Sequence, residues 1–167
     1  MKIDSPTTST KNGARTPLSL GSALFIIPGI YYILHTLEEL PYFAPWVSRH
    51  FADLSPLTFA LFEIPAILFV LLVSYKAFVK QRHGVWVILA VAAQVQFAFN
   101  ALFHLSTAFL FNEYSPGMVT GAVLGLPLTI FFMDRVWQEK RLNHKELSIA
   151  IVLGATFAAA AISLLFI

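Results

Sequence analysis

Two histidines and three glutamates lie within segments of this sequence that are otherwise apolar enough to cross a bilayer. They are His35, Glu38, Glu39, Glu63 and His104. A charged side chain at membrane depth costs at least roughly 2.5–3.5 kcal/mol, so these groups are expected to contact one another, a cation, a proton or water rather than lipid. The sequence therefore predicts a polar site inside a membrane protein.

The first of these clusters is the run His35-Thr36-Leu37-Glu38-Glu39. Residues three and four apart share a helical face, so either carboxylate can lie beside the imidazole. Such a face can bind a metal ion through nitrogen and oxygen, or form a carboxylate–imidazole pair that transfers protons. We expect Glu38 to point inward and Glu39 to lie at the rim, where a solvated residue at the helix end is the alternative interpretation.

The other ionisable residues lie on separate segments. Glu63 is surrounded by apolar residues, and Gln96, Asn100 and His104 repeat every four residues along one helical face. The alternative interpretations are a structural hydrogen bond for Glu63 and simple helix association for the polar stripe. We predict that the catalytic residues are Glu38, Glu39, Glu63 and Asn100. We predict that the ligands of a divalent metal, zinc or iron, are His35, Glu38, Glu63 and His104.

Composition assigns the chain to the membrane class. Of its 167 residues, 57% are hydrophobic and 12% are charged, whereas soluble domains contain about 25% charged residues. Five segments are each about as long as the ~20 residues that a helix needs to cross a bilayer. These spans are 18–40, 56–78, 84–111, 118–137 and 147–167. We predict an all-α polytopic membrane helix bundle of five transmembrane helices, with 1–17 as a disordered cytoplasmic tail and 18–167 as one domain.

The distribution of basic residues predicts the orientation. Ten of the eleven lysines and arginines lie in the N-terminal tail and in the second and fourth loops, while Arg49 lies in the first loop. Because cytoplasmic loops are rich in Lys and Arg, the N-terminus is predicted to be cytoplasmic. At 1.5 Å per residue, this topology places His35, Glu39, Glu63 and His104 about 2–11 Å below the outer boundary. Three helices then contribute to one site near the outer leaflet.

Composition also excludes several classes of function. The sequence contains no cysteine, which excludes disulfides, thiolate metal ligands and a cysteine nucleophile. The basic residues occupy short loops rather than one continuous face, so we expect no nucleic-acid partner. The expected partners are the lipid bilayer and a lipophilic small molecule or lipid, with a homo-oligomer as a further option. We expect the chain to be a multi-pass integral membrane protein located in the cell membrane.

Three motifs, in this order, resemble the HXXEE-motif family of integral membrane proteins. They are the histidine–glutamate motif at 35–39, a second histidine at position 104, and Tyr-Ser-Pro-Gly at 114–117. The resemblance covers about residues 21–127 and implies that His35, Glu38, Glu39 and His104 are site residues. It implies no particular activity, because the function of that family is unknown.

The residue types favour a small intramembrane enzyme that acts on a lipophilic substrate. In a metal-dependent version, two histidines and up to three carboxylates bind one zinc ion or a pair of iron ions. In a metal-free version, the same groups catalyse an acid–base isomerisation, in an architecture that resembles sterol isomerases. A proton- or ion-handling transporter is the alternative from another class, since buried glutamates and histidines also form proton relays.

Overall fold

The computed structural model describes residues 20–167, and those residues form helices joined by short loops, with no strand among them. The predicted all-α class is confirmed, whereas the predicted tail at 1–17 lies outside the described residues. Within the described part, the α-helices in chain order are α1 Leu20–Glu39, α2 Phe43–His50, α3 Pro56–Ser74, α4 Val85–Phe111, α5 Met118–Thr120, α6 Leu126–Gln138 and α7 His144–Ser163.

Shorter helical turns extend or join these helices. A π-helical turn, Tyr75–Val79, continues α3, and a second one, Gly121–Gly125, connects α5 to α6. A 3-10 turn, Leu164–Phe166, follows α7. The short helix α5 and its π turn therefore form the first part of the helix that ends with α6.

Among residues 20–167, four helical segments are long and apolar enough to cross a membrane. They are Pro56–Val79, Val85–Phe111, Met118–Gln138 and His144–Phe166. A fifth candidate is the pair Ala23–Glu39 and Phe43–His50, whose axes differ by 62°. The protein is thus a multi-pass integral membrane protein, and the cytoplasmic position of its N-terminus stays a prediction.

The helix α2 lies in the segment between the first two predicted spans, which the sequence analysis predicts to be a loop. Pro45 is the third residue of α2, where its missing N–H would have no partner within the helix. The helix buries Phe43, Trp46 and Val47 and leaves Arg49 in its last turn. The sharp bend between α1 and α2 lays this apolar face against Phe59 of α3 and Phe103 of α4, at the end of the bundle where α1 ends.

Local sequence signals account for the starts of α3 and α7. The Ser55 side chain accepts a hydrogen bond from the Thr58 N–H, and Pro56 occupies the first helical position. At α7, Asn143 and Glu146 form a reciprocal capping box. This cap begins the helix at the residue after Asn143, a few residues earlier than the predicted start at 147.

The longest helix, α4, lies at the centre of the bundle and packs against α3, α6 and α7. Gly154 allows the closest of these approaches, because a Cβ atom there would lie 2.5 Å from the Ala92 carbonyl oxygen and 2.6 Å from the Val95 Cβ. Small residues at such contacts let membrane helices pack closely. The C-terminal half of α4 carries Asn100 and His104, which face the end of α1.

Candidate metal centre

Three buried side chains meet where α1 ends beside α4. His35 and Glu39 lie one turn apart on α1, and His104 lies on α4. Their exposed fractions are 4%, 3% and 0%, respectively. Oε1 of Glu39 lies 3.1 Å from Nε2 of His104 and 3.5 Å from Nε2 of His35. One nitrogen or oxygen from each residue lies within 4.8 Å of the others, so the group could hold a metal ion.

The amide of Asn100 lies against both imidazole rings. Its Nδ2 atom is 2.8 Å from Nε2 of His35 and 3.3 Å from Nε2 of His104. When the Asn100 amide nitrogen donates to both rings, Nε2 of each ring accepts and the ring carries its proton on Nδ1. A neutral ring with its proton on Nδ1 presents the Nε2 lone pair to the cluster, which is the state that binds a metal ion.

On the other side of each ring, one hydroxyl group contacts the Nδ1 atom. Nδ1 of His35 lies 2.7 Å from Oγ1 of Thr120, and Nδ1 of His104 lies 3.1 Å from Oγ of Ser115. With the proton on Nδ1, each ring donates to its hydroxyl, which fixes both the tautomer and the ring orientation. Thr107 extends the second contact, since its Oγ1 lies 3.1 Å from Oγ of Ser115.

Glu38 points away from this cluster and binds the beginning of α5. Its carboxylate accepts backbone N–H groups from Gly117 at 3.1 Å, Val119 at 3.0 Å and Thr120 at 2.7 Å. The first N–H groups of a helix have no partners within it, and a carboxylate there also faces the positive end of the helix dipole. Glu38 therefore attaches α1 to the start of α5.

The predicted orientation of the two glutamates is wrong. Glu39, expected at the rim, is buried and faces both histidines, whereas Glu38, expected inward, is partly exposed and caps α5. Both spacings share the imidazole's helical face, so the sequence of α1 alone could not separate them. The backbone N–H groups at the start of α5 bind Glu38 and so determine which glutamate faces the histidines. They belong to a segment about eighty residues later in the chain.

The loop after α4 covers the cluster. The Tyr114 hydroxyl donates to the Glu38 carboxylate, and burial together with that hydrogen bond raises the pKa of Tyr114 to about 12, so the phenol keeps its proton. Gly117 adopts a φ of 98°, and a Cβ atom there would lie 2.8 Å from Cε1 of His35 and 2.9 Å from Nε2 of His104. Only glycine fits this position.

None of the predicted site residues lies on the fourth span or in the loop before it. The structure instead places Thr120 and Ser115 against the two histidine rings. The Tyr-Ser-Pro-Gly motif at 114–117 was the signal that could have linked this loop to the site. Neither hydroxyl had a local pattern of its own, because each contact joins residues on different elements.

Glu63 lies beside the cluster rather than in it. Its Oε2 atom accepts a hydrogen bond from the Thr36 hydroxyl at 3.4 Å. It also lines the same cavity as His35, Glu39 and Asn100. The structure thus groups His35 and His104 with Glu39, while Glu38 and Glu63, both predicted as ligands, lie outside that group of three.

A cavity of about 540 Å³ opens beside the cluster. Its volume is within the range of roughly 300–1,000 Å³ that is typical of small-molecule sites. Its remaining walls come mainly from α3, α4 and α7, and its polar lining residues include His35, Glu39, Glu63, Gln96 and Asn100. Apolar lining residues include Phe59, Phe62, Phe69, Phe97, Phe103, Phe157 and Ile162.

Comparisons with known proteins connect this chain to proteins that are described by an H-x-x-E-E motif. An uncharacterized protein called YrkK, from Bacillus subtilis (strain 168), is 24% identical over 139 residues, which cover 80% of this chain and 87% of that protein. No solved structure matches the chain. A family model described as "Protein of unknown function with HXXEE motif" matches residues 26–132. Because that match covers more than half of the sequence, the chain belongs to the HXXEE family.

Proposed function

We propose that this protein is a small intramembrane enzyme in which His35, Glu39 and His104 bind one divalent metal ion beside a cavity for a lipophilic substrate. The observation that carries the proposal is the convergence of one ring nitrogen from each histidine and one carboxylate oxygen within 4.8 Å, in three buried residues next to that cavity. Two histidines and one glutamate are the ligand set of known catalytic zinc sites, and two histidines with one carboxylate also bind ferrous ions. Three ligands suit a single ion better than a pair.

The hydrogen bonds around the cluster support metal binding. Imidazole ligands in metal sites donate their second N–H to a hydrogen-bond acceptor, and Thr120 and Ser115 occupy those positions here. Burial keeps bulk water away from the two histidines. The chain therefore supplies neutral, oriented nitrogen ligands and one negative ligand.

The metal ion and two further polar residues of the cavity, Asn100 and Glu63, each have a role in this proposal. A bound zinc or ferrous ion would supply a Lewis acid, because three protein ligands leave a coordination position open. Asn100 and Glu63 both line the cavity and can hydrogen-bond a polar group of the substrate. Glu63 can also accept or donate a proton, which makes it the candidate general acid–base residue. The aromatic walls hold the apolar part of the substrate and exclude water.

A metal-free acid–base enzyme is the second candidate, and one observation favours it. Oε1 of Glu39 lies within hydrogen-bonding distance of Nε2 of His104, so Glu39 and His104 can exchange a proton without an ion. Glu63, on another wall of the cavity, would be the second acid–base group. Such a pair of groups suits an isomerisation, in which a proton is added at one carbon and removed from another.

The experiment that separates these candidates is elemental analysis of protein purified in detergent. We expect wild type to contain about one zinc or iron ion per chain, as the three-ligand set predicts, and the His35→Ala, His104→Ala double variant to contain none. The matched control is the His83→Ala, His144→Ala double variant, which removes two exposed histidines and should keep the ion. A wild type that stays metal-free after incubation with either ion would overturn the metal site and favour the acid–base enzyme.

A further inference from the structure

We infer that the molecule bound in the cavity is an uncharged amphiphile that enters from the bilayer through an opening between α3 and α7. This inference rests on the proposed function only for the role of the polar cluster. The cavity runs from that cluster to the facing sides of α3 and α7. Two of its lining residues, Phe62 on α3 and Ala161 on α7, are also exposed side chains.

The opening faces lipid rather than water. Both α3 and α7 belong to segments that are long and apolar enough to cross a membrane. Phe62 is 52% exposed, although it lines the cavity. An exposed apolar side chain at the edge of a cavity, on a membrane-spanning helix, borders a path for molecules that are dissolved in the bilayer.

Two contacts bound the opening along the helices. At the outer end, the Ala52 N–H donates to the Leu165 carbonyl at 2.9 Å and connects the segment before α3 to the turn after α7. At the other end, the rings of Phe69 and Phe157 pack edge to face with centroids 6.4 Å apart. Between these contacts, the wall next to the opening includes the small side chains of Ala66 and Ala161. A slender apolar chain can pass there.

The charges of the cavity select an uncharged ligand. Among the described residues, its lining contains no lysine or arginine, and its charged groups are Glu39 and Glu63 beside His35. An anionic head group would meet two carboxylates in a medium of low dielectric, which is unfavourable. With a divalent ion bound, the two carboxylates balance its charge, so a cationic head group gains little. A hydroxyl or carbonyl group can hydrogen-bond Asn100 and Glu63 without a net charge.

Photolabelling tests this inference in nanodiscs of phosphatidylcholine. The probe is a diazirine-bearing hexadecanol, and its anionic counterpart is the hexadecanoic acid with the same diazirine. We expect the alcohol to label residues of the cavity wall in wild type, and unlabelled hexadecanol to compete with that labelling. Labelling by the acid should be weaker by about fivefold or more, which corresponds to roughly 1 kcal/mol in binding. Equal labelling by the two probes would overturn the uncharged-ligand inference.

A pair of tryptophan variants tests the opening. Ala161→Trp places a large side chain in the opening and should lower labelling by the alcohol by about fivefold or more. Ala160→Trp is the matched control, since Ala160 is exposed but does not line the cavity, and it should label as wild type does. Ala66→Trp, on the α3 side, is the second blocking variant in case Ala161→Trp does not fold. Equal labelling of blocked and control variants would overturn the opening between α3 and α7.

The metal content of the same samples separates this inference from the proposed function. A blocked variant that keeps its metal and loses labelling supports the opening and leaves the metal site intact. A metal-free wild type that still labels with the alcohol, and less well after Ala161→Trp, would overturn the metal site while supporting the opening. A wild type that holds metal but shows no labelling that hexadecanol competes with would overturn the ligand inference alone.

Discussion

Two clusters of histidine and glutamate lie near the same end of the bundle, and they differ in burial and in the charge that balances the carboxylate. In the inner cluster, Glu39 contacts His35 and His104, and all three side chains are buried. In the outer cluster, Oε1 of Glu113 lies 2.8 Å from Nε2 of His50 and accepts a hydrogen bond from Arg49 at 3.1 Å.

The difference between the clusters lies in what balances the carboxylate. In the outer cluster, Arg49 provides a permanent positive charge at an exposed position, and the His50 ring stacks on Phe111 with centroids 4.0 Å apart. The negative charge of Glu113 is thus balanced by a side chain of the protein itself, and these contacts connect α2 to the end of α4. Among the described residues, no lysine or arginine pairs with Glu39. The residue types alone therefore do not distinguish the two clusters. Burial, together with the absence of a lysine or arginine beside Glu39 among the described residues, makes the inner cluster the candidate metal centre.

The sharpest test of this comparison replaces one carboxylate in each cluster. Glu39→Gln removes the negative ligand of the inner cluster with little change in volume. Loss of a residue that merely orients a ligand costs about 10–100-fold in metal affinity, so we expect loss of the ligand itself to cost at least that much. The measurement is competition with a chelating dye of known zinc affinity, in detergent.

The matched control is Glu113→Gln in the outer cluster. Its metal affinity should equal that of wild type, because Glu113 contacts Arg49 and His50 rather than the inner histidines. If Glu113→Gln lowered the affinity as much as Glu39→Gln, the distinction between the two clusters would be wrong.

A second, smaller effect is expected from the loop that covers the inner cluster. Gly117→Ala adds a Cβ atom that would lie 2.8–2.9 Å from both histidine rings, at a φ of 98°. A left-handed conformation costs an L-residue about 1–2 kcal/mol, and the contact with the rings adds to that. We therefore expect a lower unfolding temperature together with weaker metal binding.

Gly84→Ala separates backbone strain from the contact with the rings. Gly84 also has a positive φ, 62°, but a Cβ atom there would have no neighbour within 4 Å. Strain alone should lower the unfolding temperature of Gly84→Ala while its metal affinity stays at the wild-type value. Equal metal affinities in the two variants would show that Gly117 does not shape the inner cluster.

Much of the fold could be predicted because membrane burial leaves strong signals in the sequence. Long apolar runs identified the helical spans, and basic loops gave a topology that placed His35 and His104 at a similar depth. The structure brings these two side chains together with Glu39. His35, Glu39 and His104 could be singled out because few ionisable groups lie inside apolar helices, while their depth in the membrane stays a prediction.

Contacts between distant elements could not be predicted in the same way. The choice between Glu38 and Glu39 depends on the N–H groups at the start of α5. The hydroxyl of Thr120 contacts His35 because α5 packs against the end of α1, where Glu38 accepts hydrogen bonds from the N–H groups of α5. A single sequence shows the periodicity of each helix, but not the rotation of one helix relative to the next.

The smallest expected effect concerns the outer cluster and its dependence on pH. Hydrogen bonds from His50 and Arg49 lower the pKa of Glu113 below its ordinary value. Because the folded state holds this carboxylate ionised, its contribution to stability is fully present above the ordinary carboxyl pKa. That contribution is lost as the pH falls through the lowered value.

The Glu113→Gln variant should therefore unfold at a slightly lower temperature than wild type at neutral pH, and at the same temperature in acid. High salt should reduce the neutral-pH difference, since exposed charges about 3 Å apart are partly screened near 1 M ionic strength. Thermal unfolding of both proteins in detergent, at neutral and acidic pH and at two salt concentrations, measures this. A difference that persists unchanged in acid would mean that Glu113 acts through packing rather than through its charge.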